Sequence, residues 1–183
     1  MTAVEVMMGE HRNIEPMLEV VRKACFQILE GKDVNYDDFA LIIEYIREYA
    51  DAYHHRKEEV MLFNRMLEHL GVLGEKTIKY GMLVEHDLGR MYINNLEEAL
   101  KNLKAGNEEA KLDVIANAIS YTDLLKRHIN KEDNVIYKFA LRELDESVIN
   151  TINEEFVVYE EENKATREKY LKILKQLEDK YIK

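Results

Sequence analysis

Residues 54–59, His-His-Arg-Lys-Glu-Glu, have an echo at 128–133, His-Ile-Asn-Lys-Glu-Asp. In both, a histidine is followed four residues later by a glutamate: His54 by Glu58, and His128 by Glu132. On an α-helix four residues sweep ~400°, so the two side chains of each pair lie one turn apart on a single face. An imidazole and a carboxylate so placed can hold a cation between them. Two such pairs brought together inside a bundle would make a two-metal site.

The rest of the composition is compatible with such a bundle. The 183-residue chain is 46% hydrophobic and 34% charged, with 7 glycines and 1 proline. So few breakers cannot punctuate a many-stranded sheet, and the prevalence of Glu, Lys, Leu, Ile and Met favours an all-α fold. The length fits one domain with a real core. No apolar run approaches the ~20 residues of a membrane span. The start, Met1 to Gly9, lacks the basic-then-apolar layout of a signal peptide, so a soluble, cytoplasmic protein is expected. The net charge of −10, from 36 acidic and 26 basic residues, argues against nucleic acid or an anionic membrane as a partner. Cys25 is the only cysteine, which rules out an internal disulfide and a thiolate metal cluster. Any metal must therefore be held by nitrogen and oxygen.

Read in order, the chain gives five helical segments. Thr2 and Glu5 form a capping box at the first, whose apolar residues recur at helical spacing until Gly31 ends it. Pro16 lies inside this helix and predicts a kink one turn past His11. Asn35 with Asp37 and Asp38 opens a second helix running to about His69. Its apolar side (Ile42, Ile46, Tyr49, Tyr53) continues onto His54. Gly71-Val-Leu-Gly74 reads as a turn, and a third helix from about Glu75 to Lys104 carries His86. Asn107 caps a fourth helix, which bears His128 and stops near Leu144. A fifth amphipathic segment, from about Glu146 to Tyr181, is acidic between Glu154 and Glu162. It suits packing across the outside of a bundle. The expected division is 1–144 for the bundle and 145–183 for the additional helix.

The two halves repeat. Glu10-His11 and Gly31 match Glu85-His86 and Gly106 at an offset of 75, while His54, Glu58 and Glu59 match His128, Glu132 and Asp133 at an offset of 74. Each half is then a helical hairpin with a lone histidine on its first helix and a His-x-x-x-Glu on its second. Two such hairpins predict an up-down-up-down four-helix bundle with near two-fold internal symmetry. His11 and His54 each lie about twenty residues from the turn at Gly31, as His86 and His128 do from Gly106, so at ~1.5 Å per residue all four reach one level. Four imidazoles and two carboxylates in one layer are the ligand inventory of a dinuclear non-haem iron site.

These blocks resemble the hemerythrin-like proteins of the HHE cation-binding class. The likeness rests on Glu10-His11-Arg12-Asn13-Ile14, His54 to Glu59 with Leu62-Phe63, Glu85-His86-Asp87 and His128 to Asp133, and it spans about residues 1–143. It implies two irons bridged by an oxo or hydroxo group, with His11, His54, His86 and His128 as terminal ligands and Glu58 and Glu132 as bridges. Zinc or manganese is an alternative loading. Oxygen-carrying members of the family have a fifth histidine one turn after the third-helix one, and here that position holds Arg90. Glu15, one turn after His11, is a candidate to fill the gap. His55 is a second candidate, and a water or hydroxide would leave the position open.

The implied function is binding of dioxygen or a related small molecule, for oxygen or nitric oxide sensing, iron handling or peroxide chemistry. The open position at Arg90 leans instead toward an oxidase- or peroxidase-type enzyme. A third reading is a metal-stabilised bundle without small-molecule chemistry. A single buried histidine is more often a hydrogen-bonded core residue than a ligand. Four at one level with two glutamates would carry unpaired buried carboxylates unless a cation were present. Glu59 and Asp133 sit ~100° round from the bridging pair and read as supporting or solvated residues. Glu10 and Glu85 either orient the imidazoles or face solvent. His69 reads as a surface residue, and one of the tyrosines is expected near the metals. The last segment leaves both a monomer and a homodimer open.

Overall fold

The capping box at Thr2 forms. In the computed structural model, which describes residues 1–183, the Thr2 hydroxyl accepts from the Glu5 amide at 3.2 Å and Glu5 accepts from the Thr2 amide at 2.8 Å. They open helix α1 (Ala3–Leu29), which runs unbroken through Pro16 and ends before Gly31, whose φ of 81° suits a residue without a Cβ. Helix α2 covers residues 36–69 and starts where the Asn35 side chain accepts from the Asp38 amide. Helix α3 covers residues 71–104 and α4 residues 110–143; α5 is Glu146–Glu162 and α6 is Lys164–Tyr181. There is no strand, so the chain is all-α as expected.

Three boundaries differ from the sequence reading. Helix α3 begins at Gly71, directly after a one-residue break at Leu70, so Gly71 to Gly74 is helix and not a turn. Gly74 serves a close crossing instead: a Cβ there would lie 2.3 Å from the Met66 carbonyl oxygen of α2. Helix α4 starts at Ala110, three residues past Asn107. The final segment is two helices, because Asn163 leaves helical geometry between α5 and α6.

Four stretches are wound as π-helix: Ile46–His55 and Glu58–Phe63 in α2, Ile78–Met82 in α3 and Glu132–Ile136 in α4. Such i→i+5 turns are rare and concentrate at functional sites. Three of them contain or adjoin the two His-x-x-x-Glu blocks.

The apolar residues separate into two cores. One takes Ile14 and Met17 of α1, Ala50 and Tyr53 of α2, Ile93 of α3, Leu125 and Ile129 of α4, and Leu174 and Leu177 of α6. The other takes Met7, Leu62, Phe63, Met82, Ile136, Ile152 and Phe156. On each of the first four helices the residues between these sets are the histidines and glutamates singled out above. Helix α3 lies along α4, and α1 packs on α4 and α6. The polar layer is thus enclosed above and below by hydrocarbon, which holds it at fixed geometry and away from water.

Candidate metal centre

His11 on α1, His54 and Glu58 on α2, His86 on α3, and His128 and Glu132 on α4 are each at most 1% exposed. Two sets of four ligand atoms, each set within 4.8 Å, emerge: His11, His54, Glu58 and Glu132; and His55, Glu58, His86 and His128. Glu58 belongs to both. The Nε2 atoms of His11 and His54 are 2.9 Å apart, and those of His86 and His128 are 3.1 Å apart, so each pair of rings points at one spot. Glu132 reaches both ends, with Oε2 3.3 Å from His11 Nε2 and Oε1 3.1 Å from His128 Nε2.

The donor set fits cations. Glu58 Oε2 and both carboxylate oxygens of Glu132 are buried without a hydrogen-bond partner. An unpaired carboxylate in such a place is costly, and a cation between the quartets removes that cost.

Each imidazole is aimed by a carboxylate at its other nitrogen. The Nδ1–H of His11 donates to Asp133 at 2.7 Å, that of His54 to Glu10 at 2.8 Å, that of His86 to Glu59 at 2.7 Å and that of His128 to Glu85 at 2.9 Å. This fixes the tautomer that leaves Nε2 free for a cation. Each carboxylate in turn meets a cationic side chain: Arg12 on Asp133, Lys57 on Glu10, Arg90 on Glu59 and Lys131 on Glu85. The open alternatives for Glu10, Glu59, Glu85 and Asp133 therefore resolve toward support of the imidazoles.

His55 follows the same pattern. Its Nδ1 lies 3.3 Å from Asp51, four residues earlier, and Arg90 binds Asp51 at 2.7 Å. Its ring stacks on His86 with centroids 3.9 Å apart. Glu15, by contrast, does not reach the cluster. Its carboxylate is 43% exposed and pairs with Arg12 at 2.8 Å, and Arg12 also pairs with Asp133. The side chain that joins the four expected imidazoles is His55, and Arg90 at the vacant position braces it.

Burial and neighbouring charges shift the titration of these groups. Burial disfavours a charged imidazole, yet the bond to Asp133 and the charge of Glu132 outweigh it and push His11 up to about 9. Burial opposes charge on His128 as well, but Glu132 and Glu85 raise it to about 10. Burial, with the neighbouring Glu132 charge, lifts Glu58 to about 8. Burial and the charge of His11 hold His54 well below the ordinary imidazole range, and burial with His86 lowers His55 to about 3. The imidazoles and the two glutamates thus shift one another strongly within one buried layer, as closely packed potential ligands do.

Further residues complete the layer. Tyr137 donates its hydroxyl to Glu58 Oε1 and stacks on His11 at 5.8 Å, which identifies the tyrosine expected near the site. Lys57 is completely buried and also pairs with Glu160 of α5, while its ammonium sits 3.9 Å from the Tyr53 ring centre. The last segment contributes Glu160 here, with the Tyr159 ring 5.4 Å from the same ammonium. His69 is exposed and distant from the cluster, as expected.

A helical layer with two adjacent nitrogen-and-oxygen quartets defines a metal-binding bundle. The model of the hemerythrin HHE cation-binding domain matches residues 2–140, and the chain belongs to that family. No curated protein and no solved structure shows significant similarity to it. No helix is long and apolar enough to cross a membrane.

Proposed function

We propose that the chain is a dinuclear non-haem iron protein that binds dioxygen or a related small molecule. The observation that carries this reading is the pair of quartets sharing Glu58, with three buried carboxylate oxygens lacking any partner. His11 and His54 would hold one ion, and His55, His86 and His128 the other. Glu58 and Glu132 would span the two. Imidazole and carboxylate donors without thiolate suit iron, and also accept zinc or manganese. Two ferrous ions bound here would supply the electrons for reversible binding or reduction of a small molecule. The chain's own part is to aim five Nε2 lone pairs through Nδ1 bonds, to hold Glu58 Oε1 through Tyr137 so that Oε2 faces the centre, and to keep water out with two cores.

His55 favours a carrier or sensor over an oxidase, because the enzyme reading drew on a missing fifth imidazole. On the same view, residues 1–144 form an up-down-up-down bundle that holds the metals, and residues 145–183 cover its Lys57 side. Metal analysis of anaerobically purified protein tests the core of this reading, with close to two irons per chain expected. Zinc alone, or no metal, refutes it. Oxygen added to the reduced form should then give a reversible near-ultraviolet and visible band, whereas irreversible oxidation with consumption of peroxide would assign the enzyme reading instead.

A further inference from the structure

A cavity of about 270 Å³ enters the bundle between α2 and α3. His55 and His86, 6% and 1% exposed, close its inner end, and Ile93 and Tyr121 form its walls. Asp51 and Arg90, whose side chains are 28% and 37% exposed, stand at its mouth.

We propose that this cavity is the chamber through which a small uncharged molecule, of the size of dioxygen, nitric oxide or hydrogen peroxide, reaches the metal pair at its His55 side, and that Gly89 keeps it open. The proposal rests on the metal reading above. Gly89 lines the cavity in the interior of the α-helical part of α3, Leu83–Lys104. Nothing about the backbone requires a glycine there: its φ is not positive, and a Cβ would meet Tyr121 at 3.7 Å, an ordinary contact. Glycine within a helix is less stable than alanine. What its missing side chain leaves is room in the cavity against the Tyr121 wall, one turn after His86, that a larger side chain would take up.

The repeat supplies the control. In the first half the position of Gly89 is Ile14, and the positions of Asp51 and His55 in the second half are Leu125 and Ile129. All three of these are buried in the larger core. The same architecture is therefore filled with hydrocarbon beside the His11 and His54 end and hollow beside the His55 and His86 end. The mouth is acidic, since the two guanidiniums of Arg90 and Arg47 are paired with four carboxylates, Asp51, Glu59 and Asp87 on the first and Glu97 on the second. An acidic mouth disfavours anions and leaves entry of an uncharged molecule unopposed. At the inner end His55 has the longest Nδ1–carboxylate distance of the five imidazoles, 3.3 Å against 2.7–2.9 Å, so it is the most loosely held ring an incoming molecule meets.

The test compares wild type with Gly89→Ile, which copies Ile14, and with Gly89→Ala. Nitric oxide association with the iron-loaded ferrous protein is followed by stopped flow. With iron content retained, Gly89→Ile should slow association by about tenfold or more, because entry then waits on side-chain displacement, with Gly89→Ala in between. Rates within about twofold of wild type at full iron content would overturn the proposal and leave the metal reading standing. Wild type that takes up no iron sinks both. Xenon titration of the metal-free protein gives a second readout that does not depend on Gly89→Ile folding. Amide shifts are expected at Gly89, Ile93 and Tyr121 in wild type and reduced in Gly89→Ala, and their absence in wild type refutes the chamber.

Discussion

The two helical hairpins carry the same three candidate ligand positions and differ in much of what surrounds them. His11, His54 and Glu58 correspond to His86, His128 and Glu132, and the supporting carboxylates correspond as well: Glu10 to Glu85 and Glu59 to Asp133. Around that shared frame, His55 stands against Ile129, Asp51 against Leu125, Tyr137 against Phe63, and Gly89 against Ile14. Lys57 is buried under α5, whereas its counterpart Lys131 is 47% exposed. Repetition thus gives the chain a symmetric donor layer. The departures give its two ends different ring counts, different hydrogen bonding and different access.

Substitutions that separate the shared frame from the departures should rank accordingly. The largest effect is expected from Glu58→Ala, because Glu58 belongs to both quartets. Both metals should be lost, and with them a stabilisation of about 4 kcal/mol per ion at a thousandfold excess of free metal over Kd; metal analysis and melting curves with and without metal read this out. Retention of two irons would break the assignment. Next comes His55→Ile, which copies Ile129 and makes the two ends alike. Weaker binding at the His86 and His128 end, toward the affinity of the His11 and His54 end, is expected, and an unchanged affinity there would show that His55 is not a ligand.

Asp51→Leu, copying Leu125, leaves His55 in place and removes its brace. By the usual weight of a carboxylate behind a metal-bound imidazole, affinity at that end should fall about 10–100-fold, measured by competition with a chelator. An unchanged affinity would mean that Asp51 does not position the ring. The smallest effect is expected from Tyr137→Phe, which copies Phe63. Removing the hydroxyl leaves Glu58 Oε1 buried and unpaired in the metal-free protein, which should lose about 1–3 kcal/mol in denaturant melts while still taking up both metals.

Much of this was readable before any coordinates. The offset repeat and four spaced blocks give the all-α class and bring His11, His54, Glu58, His86, His128 and Glu132 to one level, where the structure gathers them. His55 was harder to read. At 100° per residue it should turn away from His54, yet both rings are buried, in the stretch Ile46–His55 that is wound as π-helix. No periodicity in the sequence announces that winding. The one local clue was Asp51 four residues before His55, the acid and imidazole spacing of His54 and Glu58 in reverse order. Glu15 misled because spacing alone places it one helical turn from His11, whereas its side chain is 43% exposed and paired with Arg12. Lys57 reads as a surface charge until the position of Glu160 is known.

Arg90 grips Asp51 and Glu59 at once, two residues eight positions apart on α2. Between them the helix changes from π to α and back to π. Hydrogen bonding there switches pattern twice within a few residues, so the backbone is least self-supporting where it carries His54, His55 and Glu58. A guanidinium anchored on α3 splints that stretch from outside, and it ties the orientations of His55 and His86 to a single rigid plane. A displacement of either ring is then felt by the other through one side chain, which makes Arg90 a mechanical coupling between neighbouring helices.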